Sequence, residues 1–480
     1  MIINNQSTTN TKYSRDIFKA YDIRGVVATE LTLSVVEDIG KVLGLNASNL
    51  GVEALVVGYD GRLTSSALAD SLVKGILSVG CNVYLIGEVT TPMVYFANYF
   101  LKTKSGIMIT GSHNPPEYNG LKMVLNGDTL FADKIQDIYH KLQNDISSIN
   151  QNINNNYYKK AILTKVDITE DYVQKIISDV KISRPIKVIV DCGNGVAGKI
   201  APYLYTKMGA DVVQLYCNVD GNFPNHHPDP SKLENLSDLI TELGCTDAEV
   251  GLAFDGDGDR LGVVTKEGNI IYPDRQLMLF AIDLLSKNPN ANIIYDIKSS
   301  GLLNKLIKDY GGNPILCRTG HSFIKQKIQE TNSKLAGEMS GHIFFNDRWF
   351  GFDDGVYAGA RLLEILTKTT ECVSTVLNNL PNSISTPELN IATTSGLQHE
   401  IIKTLQQNIT LADFVDAIDI IDIDGIRVEY AYGFGLVRAS NTTSVLVLRF
   451  EATNLELLNK IKSEFKTLLI KYSDITNIDF

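Results

Sequence analysis

The 480-residue chain has no cysteines in a CxxC spacing, no apolar run long enough to span a bilayer, and no excess of basic charge. Each absence excludes something. The six cysteines, at 81, 192, 217, 245, 317 and 372, are scattered, which argues for reduced thiols rather than a disulfide framework or a zinc site. The start, MIINNQSTTNTKYS, has neither an apolar h-region nor twin arginines, so a cytoplasmic location without a membrane partner is expected. A net charge of −11 argues against a nucleic-acid surface, and an anionic substrate would need its own basic pocket. What is present is ordinary for a globular protein: 44% hydrophobic residues and a mean hydropathy near zero. At about 150 residues per domain, three or four domains are expected.

One layout recurs three times. Residues 54–87, 187–216 and 293–320 each read as an apolar strand, a polar turn, a helix, a glycine stop and a second apolar strand. Each is a βαβ unit with buried parallel strands. The domain-sized intervals favour three separate α/β domains over one doubly wound sheet. A helix is expected at 132–142, then an Asn-rich stretch at 143–160 without hydrophobic period, the best first boundary. The last hundred residues change to short alternating strands and a helix, an α+β pattern.

Four segments carry chemistry. In GLAFDGDGDRLG, Asp255, Asp257 and Asp259 alternate with glycines, so a curled loop can send three carboxylates to one side. They repel unless a cation joins them, and three carboxylates suit Mg²⁺ bound partly by a phosphate oxygen. An EF-hand would need glycine and glutamate where Arg260 and Lys266 stand; a solvated acidic turn is the bland reading. In ITGSHNPPEYNG, Ser112 is not in a G-x-S-x-G elbow. It is either a turn serine or a phosphoryl carrier, held by Pro115 and Pro116 for in-line transfer beside the metal. GLVRASNTTS places Arg438 beside Ser440, Asn441, Thr442 and Thr443, which is an anion cradle or a polar hairpin turn. GEMSGH offers Glu338, Ser340 and His342 at alternate positions, able to face sugar hydroxyls. FKAYDIRG, DIKSSG with Lys298, and RTGHS with His321 add polar groups in apolar settings.

In that order, TGSHNPPEYNGLKM, FDGDGDR, GEMSGH and GFGLVRASNTT resemble the α-D-phosphohexomutase family from about Phe18 to the C-terminus. The resemblance implies a heart-shaped protein of three related α/β domains and a C-terminal α+β domain around a central cleft, at 1–163, 164–269, 270–381 and 382–480. It implies a mutase that interconverts hexose 6-phosphate and hexose 1-phosphate, of mannose, glucose or both, through a hexose 1,6-bisphosphate. Ser112 would be the phosphoserine and, with Asp255, Asp257 and Asp259, hold one Mg²⁺. Arg438, Ser440, Asn441 and Thr442 would clamp the non-reacting phosphate, and Glu338 and Ser340 the sugar's 3- and 4-hydroxyls. Arg24, Lys122 and His342 would move protons, with Arg260 also catalytic. Tyr21, His113, Arg275, Lys298 and His321 would complete the substrate pocket. Glucose 1,6-bisphosphate is the expected activator, hexose phosphates the only expected partners, and a monomer the expected state. Arg318 stands where lysine is expected before Thr-Gly-His. A phosphoglucosamine mutase, a Mg²⁺-dependent phosphatase and a sugar-phosphate sensor are the rival functions.

Overall fold

The computed structural model describes residues 12–394, 396–441 and 443–473. Among them, no helix is long and apolar enough to cross a membrane. The three βαβ units form as read, each with its two strands paired in parallel: Ala54–Tyr59 with Asn82–Glu88, Lys187–Asp191 with Asp211–Leu215, and Asn292–Asp296 with Asn313–Cys317. They lie in three separate sheets. The first has seven strands, and the antiparallel pair Gly106–Ile109 and Tyr118–Leu125 sits inside it. The second has five, with Val250–Phe254 and Leu261–Thr265 antiparallel, and the third has four, ending in Leu335–Gly337 and Ile343–Phe345. In each sheet the turn of an antiparallel pair carries one of the singled-out motifs: 110–117, 255–260 and 338–342. The fourth sheet has six strands, with Ile426–Tyr430, Gly433–Ala439 and Val445–Ala452 at its centre and helix Leu455–Tyr472 across it. Ser440 and Asn441 follow its second central strand directly.

The Asn-rich stretch departs from expectation. Helix Asp133–Asn144 is followed by a second helix, Ile146–Asn154. Ile146, Ile149 and Ile153 fall on one face and pack on the first unit's core, while Asn150 accepts from Lys41 Nζ at 2.9 Å. Three isoleucines at helical spacing were hidden among the polar residues that dominate the composition. Strand Leu163–Lys165 then pairs in parallel with Asn82–Glu88, so the first sheet runs past residue 163.

Candidate active site

The turn between Gly106–Ile109 and Tyr118–Leu125 holds Ser112 at φ +49°, the left-handed region. For a residue with a side chain that conformation costs on the order of 1–3 kcal/mol and persists only where neighbours impose it. Here they do. Ser112 N donates to Thr110 Oγ1 at 2.7 Å. Arg62 donates to four carbonyls of the turn: Pro115 at 2.7 Å and Tyr118 at 3.1 Å through Nη1, Ser112 at 2.8 Å and Asn114 at 2.6 Å through Nη2. Asp60, fully buried with Arg62, faces its Nε at 3.3 Å and also accepts from Thr110 Oγ1. One guanidinium thus fastens the whole turn, and the serine hydroxyl points at the acidic loop.

That hydroxyl donates to Asp255 Oδ2 at 3.0 Å and lies 3.1 Å from His113 Nδ1. The two loops touch through backbone: a Cβ on Gly256 would sit 2.3 Å from the Ser112 carbonyl oxygen, so only glycine allows this approach. Asp255, Asp257 and Asp259 are fully buried, and one oxygen from each lies within 4.8 Å of the others. Lys122 Nζ bridges Asp257 Oδ2 at 2.7 Å and Asp259 Oδ2 at 2.5 Å, and Thr91 Oγ1 donates to Asp257 at 2.6 Å. Burial, then the Asp259 and Asp257 charges, pushes the Asp255 carboxyl well above the usual range. The other oxygens of Asp257 and Asp259 are buried without a hydrogen-bond partner, although His342 Nε2 lies 3.2 Å from that of Asp259. An all-oxygen set with orphaned buried lone pairs fits a hard divalent cation.

The third loop closes on the second. Arg260 and His342 form an isolated antiparallel bridge, and Arg260 Nε lies 3.4 Å from His342 Nε2. Glu338 Oε1 accepts from the Gly320 amide at 2.6 Å, and Ser340 Oγ meets His342 Nδ1 at 2.9 Å. Burial alone would lower the His342 pKa, but Asp259 outweighs it despite Arg260, raising it to about 9 with help from Glu338. His113 and His321 behave oppositely: burial pushes both well below 6.5, reinforced by Arg260, Arg24 and Lys122 for the first and by Lys325 and Lys122 for the second. Arg24 donates to Asn114 at 2.6 Å and pairs with Asp22 at 2.5 Å. From the C-terminal unit built on the fourth sheet, the fourth unit, Asn441 Nδ2 donates to the Tyr21 hydroxyl at 2.5 Å, and Ser440 Oγ meets Thr443 Oγ1 at 2.9 Å. Lys298 pairs with Glu388 at 2.5 Å. Thr442 lies outside the described residues.

The sequence matches the phosphoglucomutase/phosphomannomutase alpha/beta/alpha domains I, II and III over 15–148, 170–268 and 272–384, and the family's C-terminal domain over 388–468. The chain belongs to the phosphoglucomutase/phosphomannomutase family. It is 52% identical to the phosphoglucomutase of Neisseria gonorrhoeae, covering 95% of this chain and 97% of that one. It is 50% identical to the phosphomannomutase/phosphoglucomutase of Pseudomonas aeruginosa PAO1, covering 94% and 95%. A crystal structure of a phosphoglucomutase/phosphomannomutase family protein from Burkholderia thailandensis superposes with a TM-score of 0.89 at 47% identity, covering 98% of this chain and all of the other.

Within this phosphoglucomutase/phosphomannomutase fold, Ser112, His113, Lys122, the three aspartates, Arg260, His321, Glu338, Ser340 and His342 form one continuous cluster of contacts. Arg275 does not join it. It lies on helix Pro273–Leu285 and donates through Nη2 to the carbonyls of Leu377, Asn378 and Leu380. The carbonyls of Leu377 and Asn378 end helix Val373–Asn378 and lack partners within it, and Leu380 follows just beyond it, so Arg275 fastens this helix end. Arg62, Asp60, Thr91 and Asp353 were missed. Asp60 and Arg62 follow an apolar strand inside the first βαβ segment, where charge in a buried turn was the available signal. Asp353 has no such signal. It is fully buried, accepts from Lys325 Nζ at 3.0 Å and faces His321 and His342 at 3.9 and 3.8 Å.

Proposed function

We propose that the chain is a phosphohexomutase that interconverts the 6- and 1-phosphates of mannose, glucose or both, with Ser112 as phosphoryl carrier. One observation supports this most: a serine fastened by Arg62 in a left-handed conformation, its hydroxyl on the buried carboxylate trio. His113 Nδ1 also lies 3.1 Å from the hydroxyl, but a metal-type carboxylate cluster beside the serine is what phosphoryl transfer needs and what a histidine-activated hydrolase serine does without. In the forward step the free hydroxyl of the hexose phosphate attacks phosphorus, the bond from phosphorus to Ser112 Oγ breaks, and the hydroxyl proton leaves to the protein. The hexose 1,6-bisphosphate turns over and returns its other phosphoryl group to Ser112. Asp255, Asp257, Asp259 and Ser112 would hold Mg²⁺, which when bound supplies charge neutralisation at the phosphoryl oxygens.

The chain's own groups divide the remaining work. Lys122, bridged between two carboxylates, stays an ammonium, its pKa held well above the ordinary value by Asp257 and Asp259 against burial. It and Arg24 stabilise negative charge near Ser112, while His342, in its neutral imidazole form, takes the hydroxyl proton and as imidazolium returns it in the reverse step. Glu338 and Ser340 hold the 3- and 4-hydroxyls; Arg438, Ser440, Asn441 and Thr442 hold the far phosphate. Tyr21, His113, Arg260, Lys298 and His321 complete the walls. The fourth unit closes over the ligand and excludes water, which would otherwise accept the phosphoryl group. The enzyme works as a cytoplasmic monomer primed by glucose 1,6-bisphosphate. The test is intact-protein mass before and after incubation with glucose 1,6-bisphosphate and Mg²⁺. Wild type should gain one phosphate and Ser112→Ala none; a gain in both, or in neither, removes Ser112 from the carrier role.

A further inference from the structure

Arg438, read above as the phosphate clamp, is already engaged by a carboxylate of its own unit. Asp424 sits in the turn between strands Ala417–Ile421 and Ile426–Tyr430. Its Oδ2 accepts from Arg438 Nε at 3.0 Å and its Oδ1 from Nη2 at 3.3 Å. The same Oδ2 accepts from the Thr319 amide, in the third unit, at 3.0 Å. Thr319 O in turn accepts from the Tyr21 hydroxyl of the first unit at 3.1 Å, and that hydroxyl accepts from Asn441. The bonds close a ring through three units that begins at Arg438, on strand Gly433–Ala439, and ends at Asn441 just beyond it.

The pair is fixed by backbone as well as by charge. A Cβ on Gly425, at φ +88°, would lie 2.3 Å from Val437 O and 2.6 Å from Arg438 Cα, so the turn carrying Asp424 is pressed onto the strand carrying Arg438. Both side chains are buried, with 9% and 7% exposure. We propose that Asp424 is the positioning residue of the phosphate clamp: by holding the Nε and Nη2 side of Arg438 and the Thr319 amide together, it presents the rest of the guanidinium to the substrate's non-reacting phosphate in one orientation. The inference rests on the clamp reading of Arg438. Guanidinium recognition of phosphate depends on a planar fork held in place. Orientation is what Asp424 supplies, because its charge opposes that of the clamp and by itself weakens anion binding.

That opposition makes the proposal testable by sign. The far phosphate is gripped equally before and during transfer, so losing its alignment raises KM and leaves kcat nearly unchanged. Steady-state turnover of glucose 1-phosphate by the full chain with Mg²⁺ and glucose 1,6-bisphosphate should show KM about tenfold higher for Asp424→Ala, the size of one charge-assisted bond. Asp424→Glu should recover most of that loss, a rescue that a general packing defect would not give. Asp424→Asn, which keeps the volume, reads the same effect should the alanine variant fold poorly. In the background of Arg438→Ala, Asp424→Ala should add nothing further, since it acts through the arginine. An unchanged or lower KM for Asp424→Ala and Asp424→Asn overturns the proposal, as does full additivity with Arg438→Ala. An unchanged KM for Arg438→Ala alone overturns the clamp reading instead.

Discussion

The chain contains two seams of opposite character. Between the first three units runs a continuous apolar core, in which Phe96 of the first meets Tyr172 of the second and Trp349 of the third, at ring separations of 5.5 and 6.1 Å. Trp349 stacks on Tyr357 at 4.3 Å and donates its indole N–H to Asp354. The fourth unit has a core of its own and meets the third across a small apolar patch of Ile297, Phe434 and Leu436. Around that patch the seam is polar. Arg427 donates to Ile297 O at 2.6 Å and Ser299 O at 2.7 Å, Arg449 to Lys298 O, and Ser300 Oγ to Glu451 at 2.9 Å. Water can replace polar bonds at small net cost, but it cannot replace buried apolar contact. The first seam therefore fixes Ser112 against the carboxylates, while the second holds the strand carrying Arg438 mainly through bonds of the kind water can replace.

Breaking the apolar seam should have the largest effect. Trp349→Ala removes a buried aromatic shared by three units, and about 3–5 kcal/mol of stability should go with it. Chemical denaturation should show the loss in the main transition. A change under about 1 kcal/mol would mean that the three units do not share a core.

The polar seam should break differently. Arg427 is 1% exposed, lies over the Phe434 ring at 3.6 Å and satisfies two carbonyls flanking Lys298. Arg427→Met keeps the apolar stem but orphans both carbonyls, a loss of about 2–3 kcal/mol. Hydrogen exchange should rise at Ile297–Ser300 and in strand Gly433–Ala439 while the Phe96, Tyr172 and Trp349 surroundings stay protected. Equal deprotection of both regions would merge the two seams into one cooperative unit.

The contrast also explains what the sequence disclosed. The βαβ units and the motif turns were legible because periodicity, glycine spacing and clustered carboxylates are local properties of the chain. The DGDGD alternation needed no partner to be informative. Partner choice is not local. That Arg62 would take four carbonyls of a turn fifty residues on, or that Arg438 would lie against Asp424, depends on which strands become neighbours. Arg275 shows the same limit: an arginine at a helix start looks alike whether it serves a ligand or a helix end. The isoleucines at 146, 149 and 153 were local and readable, and asparagine content obscured them.

The smallest effect sharpens the polar seam from its solvent side. Glu388 joins Lys298 across the seam at 2.5 Å, yet its side chain is 39% exposed, so screening limits the pair to under about 1 kcal/mol. The Lys298 charge, against burial, holds the Glu388 carboxyl below its ordinary value. A carboxylate whose pKa is lower in the folded than in the unfolded chain stabilises above the unfolded value, and the contribution fades as pH falls through the folded one. Glu388→Gln should therefore be slightly less stable than wild type at neutral pH. The difference should shrink to zero as pH drops below the ordinary glutamate value of about 4.3, and 1 M salt should shrink it at neutral pH. A difference that survives both acid and salt would assign Glu388 a packing role, and the seam would then be less polar than its bonds indicate.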